Sequence, residues 1–184
     1  MTTALRQRLM LIATLAMLAT AGFIMYRGAR SLESGARELS VGVEGAATVL
    51  RWNGEVRAPM ARLIGRAALN SGSDTIIVEL NSPGGSIAEG RLVIDALDRI
   101  AASRRLETRV RAGEYCLSMC VPIYLRGERR VAGESAMFMF HEPQAVNVVT
   151  GERIAAAAFE RDRASRHFVS GYLQVSPVDR EWLA

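Results

Sequence analysis

Thr75-Ile76-Ile77-Val78-Glu79-Leu80 runs directly into Asn81-Ser82-Pro83-Gly84-Gly85, and from about Ser86 to Ala101 apolar residues recur at helical spacing. The first six residues are nearly continuous in apolar and β-branched side chains, the pattern of a strand covered on both faces. Proline stiffens the turn that follows, while two glycines permit positive φ and a close backbone approach. Ile87, Leu92, Val93, Ala96, Leu97 and Ile100 form the expected buried stripe of the helix. A turn of this kind exposes N–H groups that can hold an anion or an oxyanion; a plain tight βα turn is the alternative reading. The dinucleotide pattern G-x-G-x-x-G is absent.

Working outward, Ala47 to Trp52 reads as a strand closed by the turn Asn53-Gly54. Pro59 to Leu69 carries Met60, Leu63, Ile64 and Ala67 at helical spacing. Beyond the central helix, Thr108 to Ala112 reads as a strand, and Gly113-Glu114-Tyr115 leads into a second helix containing Cys116 to Leu125. Ala136 to Phe140 is a short apolar strand that delivers His141 at its end. Thr150 can cap a last helix reaching about Gly171, with Glu152 in its first turn. Strands alternate with helices, so the class is α/β.

Of the 184 residues, 49% are hydrophobic and 23% charged, which excludes a wholly disordered chain. All 23 basic residues are arginines. The absence of lysine excludes a Walker-type phosphate loop, a Schiff-base enzyme and a Ser–Lys dyad, each of which needs an amine. A net charge of +4 does not demand a nucleic-acid partner. The most basic stretch, Arg99 to Arg111, lacks interleaved aromatics for base stacking. It reads as a solvated helix-to-strand connection, with anionic lipid head groups as the second reading. Two cysteines are too few for a disulfide scaffold or a four-thiolate zinc site.

Leu9 to Tyr26 carries no charge and follows Arg6 and Arg8. As a helix it spans about 27 Å, close to a bilayer core. The expected organisation is a signal anchor or signal peptide over 1–26, a juxtamembrane linker over 27–45 and a folded domain over 46–184. Ala19-Thr20-Ala21 offers a cleavage site, but the apolar run continues past it, which favours an uncleaved anchor with the domain outside the cytoplasm.

Ser118 falls just inside the expected second helix, where a serine is either a cap or a nucleophile favoured by the helix dipole. His141, closing an apolar strand, is either a satisfied structural residue or a base; His167, on an arginine-rich helix face, is a weaker candidate. Cys116 and Cys120 bracket Ser118. Regular helical geometry leaves i, i+4 β-carbons about 5–6 Å apart, too far for an unstrained bond. A disulfide therefore requires Cys116 to lie in the turn before the helix, and bridged and free thiols both remain open.

Together these segments resemble the ClpP-type serine peptidase family. The resemblance rests on Leu50-Arg51-Trp52-Asn53-Gly54-Glu55-Val56, Ile77 to Ser86 with its N-S-P-G-G turn, the pair Ser118-Met119, and His141-Glu142-Pro143. It covers about Ala47 to Gly171 and implies a ClpP/crotonase-like spiral of β-β-α units. It further implies Ser118 as nucleophile, His141 as base, and N–H groups of Gly84, Gly85 and Met119 as oxyanion donors. The expected partners are a peptide or protein substrate, the membrane through the N-terminal helix, and further copies of the chain; the resemblance implies no cofactor and no metal. The sequence departs from the family in Leu117 and Cys120, which flank the Ser-Met pair. It also lacks an acidic residue at the place of the third triad member; Asp179 reads first as a solvated tail residue and second as a substitute for that member. An exported serine hydrolase is the expected function, and a catalytically inactive binding or assembly module at the membrane is the alternative.

Overall fold

The computed structural model describes Thr14, residues 16–22, residues 38–141, Glu152 and Arg166. Residues 16–22 are helical and exposed, and among the described residues no helix is long and apolar enough to cross a membrane. Most of the Leu9 to Tyr26 run, and most of the last helix expected from Thr150 to Gly171, lie outside the described residues.

Five strands form the main sheet in the order β1-β2-β3-β4-β6. The strands are β1 (Leu39–Glu44), β2 (Ala47–Asn53), β3 (Thr75–Asn81), β4 (Arg105–Val110) and β6 (Arg129–Ala132). Only the β1–β2 hairpin is antiparallel; β2, β3, β4 and β6 run parallel, with Trp52 opposite Leu80 and Ile76 opposite Leu106. A second, two-stranded parallel sheet pairs β5 (Tyr115–Leu117) with β7 (Met137–Met139). The helices within residues 39–141 are α1 (Met60–Leu69), α2 (Ile87–Ala101) and α3 (Cys120–Tyr124). This mixed α/β architecture with a mostly parallel sheet is consistent with the ClpP-like fold.

Strand alternation sends Leu50 and Trp52, then Ile76, Val78 and Leu80, then Leu106 and Val110 to one face, where they pack with Met60 and Ile64 of α1 and Val93 and Leu97 of α2. Burying side chains of this size contributes about 1.5–3 kcal/mol each. Ser86 caps α2 by accepting from the Glu89 amide, and the buried Glu89 carboxylate accepts the Ala61 amide in the first turn of α1. One S-x-x-E sequence thus satisfies donors on two helices.

The opposite face of the sheet carries charge. Arg51 on β2, Glu79 on β3 and Arg109 on β4 are successive cross-strand partners. Glu79 is 2% exposed and ion-paired to Arg111 at 2.7 Å, Arg51 at 3.5 Å and Arg109 at 3.8 Å. Arg109 also pairs with Glu44 and Glu107, and Glu107 with Arg129. Part of the basic stretch is therefore a cross-strand ladder rather than a solvated connection. Arg99 and Arg104 do reach the surface region, where they line a cleft of about 360 Å³ between α1 and α2 with Arg62 and Arg66.

Four other expectations change. Within the linker expected over 27–45, Leu39–Glu44 form β1, whose Val41 and Val43 stay exposed on an edge strand and so left no apolar signature, while 27–37 lie outside the described residues. The strand expected over 108–112 runs instead from Arg105 to Val110, its apolar pattern broken by Glu107, which is buried and paired with Arg109 and Arg129. The helix expected over 116–125 splits into β5 and the five-residue α3, and β6, rich in arginine, went unread. Leu92 is exposed, and Gly90 and Ile94 take its place in the buried stripe of α2.

Candidate active site

Three chain segments converge where β3 and β5 end. Ser82 is fully buried and bridges the two strands: its amide donates to the Tyr115 carbonyl at 2.8 Å, and its carbonyl accepts the Leu117 amide at 2.9 Å. The Ser82 hydroxyl accepts the Gly84 amide at 3.2 Å. On the other side of the turn, Val56 donates to the Gly84 carbonyl and accepts from the Ser86 amide, both at 2.7 Å. The turn is fixed from both flanks, with Gly84 at φ 88° and Gly85 at φ 146°.

Ser118 is not inside a helix. It lies between β5 and α3 at φ 53°, a left-handed conformation that is costly for a serine. Its amide donates to the Met139 carbonyl at 2.8 Å, and its carbonyl accepts the Val121 amide at 3.0 Å. The expected helix dipole has little to act through, since α3 is a single short turn. What the fold supplies instead is an elbow held by hydrogen bonds before and after it.

The glycine turn lies directly against this elbow. A β-carbon built on Gly84 would fall 3.1 Å from the Met119 amide nitrogen, inside ordinary contact distance. The Met119 side chain is buried and seated on Gly90 of α2, where only a glycine leaves room for it. Because the Gly84 amide is taken by Ser82, it is the amides of Gly85 and Met119 that donate to no acceptor among the described residues. Sequence reasoning missed Ser82, Val56 and Gly90. Only the spacing Ser82-Pro83-Gly84 hinted at the first of them, and nothing hinted at the other two.

His141 is exposed and stands two residues, about 7 Å of extended chain, beyond Met139, whose carbonyl holds the Ser118 amide. The parallel pairing of Leu117 with Met139 thus brings the chain ends bearing Ser118 and His141 out of one small sheet, side by side. His167 and Asp179 lie outside the described residues. Cys116 sits in β5 and Cys120 opens α3; they are joined by a disulfide with a Cα–Cα distance of 5.2 Å. Tyr124, at the far end of α3, stacks at a tilt on Phe138 with centroids 4.9 Å apart, and burial pushes its phenol pKa up.

The family model for Clp protease matches residues 52–176, a span that contains the glycine turn, Ser118 and His141. No curated protein matches the chain significantly. Because the match extends over more than half of the sequence, the chain belongs to the Clp protease family.

Proposed function

We propose that this chain is a serine peptidase in which Ser118 is the nucleophile, His141 the general base, and the amides of Gly85 and Met119 the oxyanion donors. Membership of the Clp protease family supports a peptidase-type function acting on peptide or protein substrates. The observation that carries the residue assignment is the meeting of the glycine turn with the Ser118 elbow, at a point where two backbone amides lack a protein acceptor. Met119 is buried while Gly85 is exposed, so the pair of donors stands at the edge of the core, where a substrate carbonyl can reach it.

In the proposed reaction the Ser118 hydroxyl attacks the scissile carbonyl while the His141 imidazole takes its proton. The carbonyl oxygen, now anionic, receives the Gly85 and Met119 N–H groups; such a donor contributes about 3 kcal/mol in serine proteases. Collapse of the tetrahedral adduct passes the proton from His141 to the leaving amine, and water then hydrolyses the acyl-serine by the same exchange in reverse. The imidazole tautomer needs an orienting partner, for which Asp179 remains the proposal.

We further place the domain outside the cytoplasm, anchored by the Leu9 to Tyr26 run. The disulfide is of the kind that persists in oxidising compartments, and the charge-free run has the length of a bilayer core. A reporter enzyme fused after Ala184 and active only when exported checks that placement.

The functional test is hydrolysis of an unstructured protein such as fluorescein-labelled casein. Wild type is expected to cleave it, with Ser118→Ala and His141→Ala each reducing kcat/KM to background. A folded wild type that cleaves nothing, or a Ser118→Ala variant as active as wild type, favours the binding-module reading.

A further inference from the structure

We propose that the Cys116–Cys120 disulfide is a positioning clamp for Ser118, so that the reactivity of this hydroxyl follows the redox state of the pair. The inference rests on the reading of Ser118 as the nucleophile, and it adds a control point that the peptidase chemistry does not require.

The two cysteines belong to different parts of the fold. Cys116 is in the interior of β5, paired with Phe138 of β7 and bridged to Ser82 at the end of β3, so it moves with the sheets. Cys120 opens α3, five residues long and too short to hold its own geometry as an isolated helix. Between them stands Ser118 in a left-handed conformation that a serine does not favour. Such a conformation persists only where its surroundings over-determine it. The Ser118 amide is held from the sheet side by Met139, and its carbonyl from the α3 side by Val121. The disulfide is the covalent chord between those two sides, spanning 5.2 Å across the elbow.

Its effect is local. The closed loop is short, with a sequence separation of 4, and constrains the unfolded chain far less than a long loop does. The disulfide lies at the β5–α3 side of the buried core, and the packing of β2, β3, α1 and α2 in that core also runs through Leu50, Trp52, Met60, Ile64, Val78, Val93 and Leu97. Opening the bond frees α3 to carry Val121 and the Met119 amide away from the glycine turn, and the oxyanion donors lose their register. Both cysteines are fully buried, so reduction requires a strong dithiol and a long incubation. The sequence contains 2 cysteines, so any thiol–disulfide response to dithiothreitol belongs to this pair.

The redox step balances with dithiothreitol as reductant. One of its thiolates attacks a cysteine sulfur and releases the other as a thiolate; its second thiolate then displaces the first cysteine and closes the oxidised ring. Dithiothreitol gives up two electrons and two protons, and Cys116 and Cys120 emerge as thiols.

The test uses the full chain in oxidised and reduced form, with the rate of labelling by a fluorophosphonate and amide hydrogen exchange read in parallel. Reduction is expected to slow labelling on the order of tenfold to a hundredfold, the scale of a small misplacement of reacting groups, with recovery on reoxidation. The double variant Cys116→Ser/Cys120→Ser should label at the reduced rate and ignore dithiothreitol. Exchange should rise over residues 117–121 and stay unchanged over β2 and β3. Equal labelling in both redox states overturns the clamp, as does unchanged exchange over 117–121 or exchange that rises across the whole domain. Should oxidised wild type never label, the peptidase reading falls on that result. The exchange arm then decides the clamp alone: a local rise supports it and no rise overturns it.

Discussion

A β-carbon placed on Gly84 would stand 2.7 Å from the Cβ of Ser118 and 2.6 Å from the carbonyl oxygen of Leu117. The glycine turn and the serine elbow are therefore packed to a distance that no other residue permits. Gly84 is also held at φ 88°, so any side chain there meets both a steric and a backbone penalty. Gly113 provides the control, with φ 71° and open space around it. Gly113→Ala is expected to cost about 1 kcal/mol by urea unfolding. Gly84→Ala should exceed it by a further 1–3 kcal/mol or so, the usual range for overpacking, and should abolish casein cleavage.

Gly90 and Met119 form a second such pair. Replacing a glycine inside a helix by alanine ordinarily stabilises by about 1 kcal/mol. At position 90 the new methyl would lie 2.9 Å from the Met119 sulfur and closer still to its carbons. Gly90→Ala is therefore expected to destabilise, by about 1–3 kcal/mol. In a Met119→Ala background the obstacle is gone and the same substitution should become stabilising. A double-mutant cycle in urea reads the reversal of sign directly.

The charged ladder behaves differently from surface ion pairs. Glu79 is buried among three arginines, so Glu79→Ala removes the carboxylate they share, leaving Arg51 to Glu114 and Arg109 to Glu44 and Glu107. Because the arginines left behind are partly exposed and two stay paired, the cost falls between the exposed and the fully buried limits, at about 1–3 kcal/mol. Asp98, half exposed and paired with Arg126 at 3.0 Å, is the comparison. Asp98→Ala should change stability by no more than about 1 kcal/mol.

Glu107 sets a pH dependence. Burial acts to raise its carboxyl, but hydrogen bonds from Arg109 and Arg129 outweigh that and hold its pKa below the ordinary glutamate value. A carboxylate with a depressed folded-state pKa contributes stability that is complete above the unfolded value, about 4.3. That contribution is lost as pH falls through the lower, folded-state value. Unfolding midpoints in urea should therefore fall with acidification below about pH 4.3, and Glu107→Gln should flatten that slope. An identical slope in the variant contradicts the assignment.

Much of this geometry was legible in residue patterns, and the failures have physical causes. Thr75 to Leu80 announced β3 because apolar residues on both faces leave few alternatives, although its second face proved to be closed by Glu79 and its arginines rather than by a helix. Periodicity placed α1 and α2 to within a residue at either end. The stretch Cys116 to Leu125 misled because β5 is three residues long, too short for alternation to register, and because Ser118 adopts a left-handed φ that glycine would have signalled and serine does not. Strands β1 and β6 carry exposed valines or paired arginines, so neither showed an apolar face. The resemblance picked out Ser118, His141 and the glycine turn. That Gly84's amide is occupied by Ser82, while Gly85's donates to no acceptor among the described residues, is a property of hydrogen bonding that no spacing encodes.

The most direct measurement is the site of covalent capture by a fluorophosphonate, read by mass spectrometry of the digested full chain. The peptidase account predicts one adduct, on the peptide bearing Ser118, absent from Ser118→Ala and strongly diminished in His141→Ala. Adduct formation on another serine, or none on a folded and oxidised protein, contradicts it.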